Sequence, residues 1–129
     1  RAHCYFLDRS NPRDGLRVIL SAIEDIKRGI SIFVFPEGTR TKTGEMAPLK
    51  EGTFKMATKT GCAIIPVAIT GTDDILRNHI PFIRKTTVVF HYGTPIYPDQ
   101  SEADQKKHIG AYTQSVIADM LERDKNLIQ

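Results

Sequence analysis

The residues of this chain best equipped for chemistry stand together in the run Phe35-Pro36-Glu37-Gly38-Thr39-Arg40. Glu37, Gly38, Thr39 and Arg40 offer a carboxylate, a permissive backbone, a hydroxyl and a guanidinium at consecutive positions. Arg suits a phosphate because its planar fork donates two parallel hydrogen bonds. Gly38 tolerates a positive φ and leaves room for a close ligand. Thr39 can donate its hydroxyl to a phosphate oxygen. Glu37 could accept from ligand hydroxyls, or hold Arg40 through a charge-assisted pair. The competing reading is a polar turn in which Glu37 and Arg40 neutralise each other in solvent. Two further cations, Arg9 and Lys50, lie where the same anion could reach them, though Arg9 could equally pair with Asp8 or Asp14 and Lys50 could be solvated.

These side chains need elements that bring them together. Residues 30–35 are β-branched and aromatic, with the length of a buried strand, and Pro36 ends any ladder because it has no N–H. Residues 4–7 read as an earlier strand. Between them Asn11 is an N-cap, Pro12 suits the first helical position, and Asp14 suits the first turn. Leu16, Ile19, Leu20, Ile23 and Ile26 recur at helical spacing until Gly29. A strand–helix–strand unit of this kind is a right-handed crossover between parallel strands. It puts Arg9 and Arg40 at one sheet edge, where open α/β sheets bind ligands. Lys50 precedes a helix predicted over residues 52–59, whose N-terminus adds partial positive charge. Strands are predicted over 63–69 and 87–92, the first containing Pro66, which calls for an edge or a bulge. Residues 73–85 read as a surface loop. Ser101 and Asp104 have capping-box spacing for a last helix, with Ile109, Tyr112, Val116, Ile117, Met120 and Leu121 as its apolar stripe.

Four stretches, in order, resemble the glycerolipid acyltransferases, the family of 1-acylglycerol-3-phosphate acyltransferases. Phe6-Leu7-Asp8-Arg9 is similar to that family's second block, and Phe35 to Arg40 to its third. Leu49-Lys50-Glu51-Gly52-Thr53-Phe54 is similar to the segment that follows, and Ile64-Ile65-Pro66-Val67 to the fourth block. The resemblance covers residues 4–98 and implies an α/β fold with a largely parallel or mixed sheet and flanking helices. It implies transfer of a fatty acyl group from acyl-CoA or acyl carrier protein to lysophosphatidic acid, giving phosphatidic acid. Arg9, Glu37, Gly38, Thr39, Arg40 and Lys50 would then bind the acceptor, and Ile65 with Pro66 would lie by the acyl donor. No cofactor or metal is implied. Glycerol-3-phosphate or another lysophospholipid is an alternative acceptor. A non-catalytic phospholipid- or anion-binding module is the alternative of a different class.

The family's general base is a His followed, after four residues, by Asp. His3 and Asp8 have that spacing, but Asp8 already serves the Asp-Arg pair, and positions five apart on a strand face opposite ways. No catalytic residue is therefore assigned. Residues 1–129 are expected to be the C-terminal part of one acyltransferase domain, incomplete at the N-terminus and inactive alone. Any contact with the cytoplasmic face of a membrane is expected through the missing N-terminal part.

Composition is that of a globular domain. Hydrophobic residues make up 40% and charged residues 26%, and no apolar run approaches the length that spans a bilayer. The formal charge of +3 mildly favours anionic partners such as lipid headgroups or coenzyme A, and no nucleic-acid partner is expected. Cys4 and Cys62 read as buried free thiols. His79 and His108 read as solvated and His91 as a core or edge histidine, with no zinc spacing among them.

Overall fold

The structure is a computed structural model that describes residues 4–8, 10–39, 41, 44–75 and 79–127. Helix α1, Pro12–Lys27, starts where its cap chemistry requires: the Arg13 N–H donates to Asn11 Oδ1 at 3.1 Å, and Pro12 opens the first turn. Its inward face buries Ala22 and Ile23 against Met56 of helix α2, Glu51–Thr60, with Tyr5, Ile19, Ile26 and Ile32 packed around them. Leu16 and Leu20 of the same apolar stripe stay 60% and 49% exposed, so the stripe is wider than the face that is covered.

The α/β class stands, and the strands predicted over 63–69 and 87–92 do pair, but among the described residues they pair antiparallel rather than in the largely parallel or mixed sheet that was expected. The sheet has two antiparallel strands, β1 Val67–Thr70 and β2 Val89–Tyr92, with Val67 opposite Tyr92 and Thr70 opposite Val89. Pro66 lies immediately before β1, buried, and contributes only its carbonyl, which accepts from the Gly93 N–H at 2.8 Å. A missing N–H costs nothing there. A bridge between Ile64 and Ile96 extends the pairing past it.

Residues 4–8 and 30–35 are extended but carry no ladder among the described residues. An apolar run specifies burial on one side, whereas pairing also needs a neighbouring strand with free amides. Their course still follows the predicted crossover. The Tyr5 hydroxyl donates to Asp25 near the C-terminal end of α1. Arg17 Nη2 donates to the Phe6 carbonyl at 3.5 Å, and the Asp8 N–H to Asp14 Oδ2 at 2.8 Å. Residues 4–8 therefore run opposite to α1. The Ile30 N–H donates to the Asp25 carbonyl at 3.0 Å and Ile32 packs on Ala22 and Ile23, so the second segment also heads towards the N-terminal end of α1.

The C-terminal helix is broken. Helix α3, Ala103–Lys107, ends at His108, which is not helical (φ −119°, ψ 40°), and α4, Ile109–Asp124, begins afresh. The predicted capping box does not form: Ser101 Oγ donates to the Tyr97 carbonyl at 3.0 Å, and Glu102 takes the cap position without a side-chain bond. The α4 N-terminus is capped instead from α2, where Glu51 accepts from the Gly110 and Ala111 N–H groups at 3.3 and 3.1 Å. Ile109 joins Leu49, Phe54 and Ile96 in a second core cluster, with Val116 and Ile117 alongside. Cys4 is exposed and Cys62 half-buried, both free, rather than buried as predicted. Among the described residues no helix is long and apolar enough to cross a membrane.

Candidate anion-binding site

The turn after residue 35 is built by its own backbone. The Gly38 N–H donates to the Phe35 carbonyl at 3.1 Å, and the Lys50 N–H donates to the Pro36 carbonyl at 3.0 Å. Residues 36–38 are thereby drawn onto the start of α2. Gly38 has φ +71°, and a Cβ there would lie 2.8 Å from Lys50 Nζ and 2.9 Å from Lys50 Cε. The glycine is needed both for the left-handed backbone and for the passage of the Lys50 side chain across it. Lys50 has no carboxylate partner among the described residues. It is also the N-cap of α2 and supplies no side-chain cap, so the open N–H groups of that helix add positive potential beside its ammonium.

Glu37 has a use that neither sequence reading contained. Its Oε2 accepts from the Ala47 N–H, ten positions on, at 2.9 Å and closes a loop that contains Thr39 and Thr41. Leu49 is buried at the far side of this loop, and its N–H donates to Gln114 Oε1 of α4 at 3.1 Å. The loop is thus tied to helices at both ends. Thr39 is exposed at its rim.

The other predicted site residues divide by position. His3, Arg9 and Arg40 lie outside the described residues. Asp8 is described and is spent on local structure: its Oδ1 accepts from the Ser10 N–H at 2.9 Å and from Ser10 Oγ at 2.6 Å. Those two bonds, the hydroxyl first, hold its carboxyl below the ordinary value of 3.8. Asp14 is also held below 3.8, first by Arg17 Nε, which donates to it at 2.7 Å, and then by the Asp8 N–H. Ile65 is 47% exposed beside buried Pro66, an apolar step at the start of β1.

His79 departs from its solvated reading, whereas His91 lies in β2 as the core or edge histidine that was expected. His79 is half-buried, and its Nε2 stands 3.1 Å from Arg84 Nη1. His91 Nδ1 lies 3.0 Å from Oδ1 of Asp124, which is 2% exposed, so the pair ties β2 to the end of α4. A pairing across 33 positions leaves no local sequence signal. His91 also lines a cleft of about 430 Å³ with Tyr92, Tyr97, Tyr112 and Arg123.

A sequence profile described as Acyltransferase matches residues 1–70. The chain is 32% identical over 124 residues to a 1-acyl-sn-glycerol-3-phosphate acyltransferase of Cocos nucifera, covering 95% of this chain and 40% of that protein. It is 30% identical over 125 residues to the Escherichia coli (strain K12) protein of the same name, covering 95% of this chain and 50% of that one. Among solved structures it is similar to the 1-acyl-sn-glycerophosphate (LPA) acyltransferase, PlsC, from Thermotoga maritima. The TM-score is 0.74 and the identity 28%, over 84% of this chain and 44% of that one. The chain therefore spans half or less of the length of these relatives.

Proposed function

This chain belongs to the acyltransferase family, and we propose that it forms the acceptor-holding part of an enzyme that acylates lysophosphatidic acid to phosphatidic acid. The acyl donor is a thioester of coenzyme A or of acyl carrier protein. The reaction runs at the cytoplasmic face of a membrane, where the acceptor is anchored by its own acyl chain. Relatives bearing the name 1-acyl-sn-glycerol-3-phosphate acyltransferase support the reading.

The observation that carries it is Lys50 laid across Gly38 at the open N-terminus of α2, because its ammonium pairs with no carboxylate among the described residues and Glu37 and Glu51 accept from backbone N–H groups instead. A phosphomonoester fits such a place. In the proposed arrangement Arg9 and Arg40 complete the phosphate contacts, Thr39 adds a hydroxyl donor, and Glu37 shapes the loop. Ile65 and Pro66 offer apolar surface to the acyl donor. The free hydroxyl of the acceptor attacks the thioester carbonyl, its proton passes to a general base, and the thiolate leaves. Holding the phosphate fixes the hydroxyl relative to that carbonyl, and such positioning is worth several orders of magnitude in rate. No residue of this chain is assigned as the base.

Calorimetry with lysophosphatidic acid below its micelle concentration tests the site. Arg40→Lys is expected to weaken binding about ten- to a hundredfold, since a hydrogen bond to a charged group contributes roughly 1.5–3 kcal/mol and a point charge cannot replace the fork. Lys50→Gln should weaken it similarly. Unchanged affinity in both variants would remove the anion site. Acyl transfer is expected from the full-length protein and not from residues 1–129 alone. Binding without transfer by the full-length protein would mark it as a binding module instead.

A further inference from the structure

We infer that the turn over residues 79–85 is a membrane-contacting surface, whose apolar side chains bed into an anionic lipid leaflet while Arg84 and Lys85 meet the headgroups. Ile80, Phe82 and Ile83 are 69%, 75% and 79% exposed. Scattered exposed hydrophobics are ordinary, but three within four positions form a local apolar tip with no packing role in the fold. The tip is held outward by a tied backbone rather than by loose chain. The Phe82 N–H donates to the His79 carbonyl at 2.7 Å, and the Arg84 N–H to the Ile75 carbonyl at 3.1 Å.

Charge selects lipid over a protein partner. The tip is followed at once by Arg84 and Lys85, both exposed, and no Asp or Glu occurs between Asp74 and Asp99. An apolar tip set beside cations, in a stretch free of carboxylates, matches a leaflet in which acyl chains lie just beneath negative headgroups. A protein-binding patch has no need for that layering. The inference does not rest on the acyl-transfer reading. Loss of lysophosphatidic acid binding in Arg40→Lys and loss of vesicle binding in the variants below are separate outcomes.

The chain contains no Trp, so Phe82→Trp installs a single fluorescent reporter at the tip. The probes are phosphatidylcholine vesicles with and without phosphatidylglycerol, and the same vesicles carrying brominated acyl chains. Expected are a blue shift and bromine quenching of the indole, stronger on the anionic vesicles and weakened by salt. Ile83→Asp should lower vesicle partitioning about tenfold or more, because a buried Ile side chain is lost from the apolar phase. Arg84→Glu and Lys85→Glu should each lower it about fivefold or more on anionic vesicles, with little effect on neutral ones. No vesicle binding, binding with the indole unquenched, or binding unaffected by Ile83→Asp would each overturn the inference. A blue shift that grows with protein concentration in the absence of vesicles would also overturn it, assigning the tip to a second copy of the chain.

Discussion

Gly38 carries two constraints that substitution can separate. Gly44 also has a positive φ, +84°, but nothing lies within 4 Å of where its Cβ would stand, whereas a Cβ on Gly38 meets Lys50. Alanine at either position incurs the left-handed backbone penalty of about 1–2 kcal/mol. Only Gly38→Ala must also push the Lys50 ammonium aside. Both variants should therefore melt earlier by similar amounts, while phosphate binding weakens in Gly38→Ala alone. Equal losses of binding would show that backbone strain, not the position of Lys50, governs the site. Glu37 allows a comparable separation. If its carboxylate serves mainly to hold the Ala47 amide, Glu37→Gln keeps an acceptor oxygen and Glu37→Ala does not. Hydrogen exchange at Ala47 should accelerate in the alanine variant and stay slow in the glutamine variant. Fast exchange in both would mean that the charge, not the oxygen, holds the loop. The positive φ of Gly38 was legible in the sequence, because a glycine set among polar residues just past an apolar run marks a sharp turn. The partner of Glu37 was not, because a backbone N–H ten positions away looks the same in every residue.

At the level of elements, α1 shows how local chemistry is readable and what lies beyond it. Its cap residue, Pro12 and Asp14 all do what the sequence predicted, and Asn11→Ala should cost about 1 kcal/mol. The cap region also couples stability to pH. Asp8 and Asp14 both have carboxyls held below the ordinary value, so their bonds to Ser10 and Arg17 stabilise the fold fully above about pH 4. That contribution disappears as pH falls through the lower folded-state values, because protonation removes the acceptor charge. Urea midpoints should accordingly drop as pH falls below about 4, and the drop should shrink in Asp14→Asn. An unchanged acid slope in that variant would place the coupling elsewhere. By contrast, the pairing of residues 4–8 and 30–35 was misread, since an apolar run announces burial but not the strand beside it. The start of α4 was missed for a similar reason. Its cap is a carboxylate on α2, about sixty positions upstream, so no capping motif stands next to it.

For the molecule as a whole, large apolar side chains on α1 and on the segments that flank it remain open. Phe6 is 86% exposed, Phe35 70%, Phe33 61% and Leu16 60%. Phe33 and Phe35 stack edge to face, with ring centroids 5.2 Å apart, so they share one side of the extended segment while Ile32 packs inward on α1 and α2. Such a surface is costly to leave in water, at about 25 cal/mol for each Å² of apolar area. A second copy of the chain would present the same open rings. Sedimentation velocity should show self-association of the isolated chain in the micromolar range, stronger in sulfate salts and weaker on cooling, as hydrophobic contacts require. Phe33→Asp with Phe35→Asp should restore the monomer, while Ile83→Asp should not, because the turn over 79–85 is assigned to lipid. A chain that stays monomeric with both phenylalanines intact would mean that the exposed rings are too dispersed to form an interface.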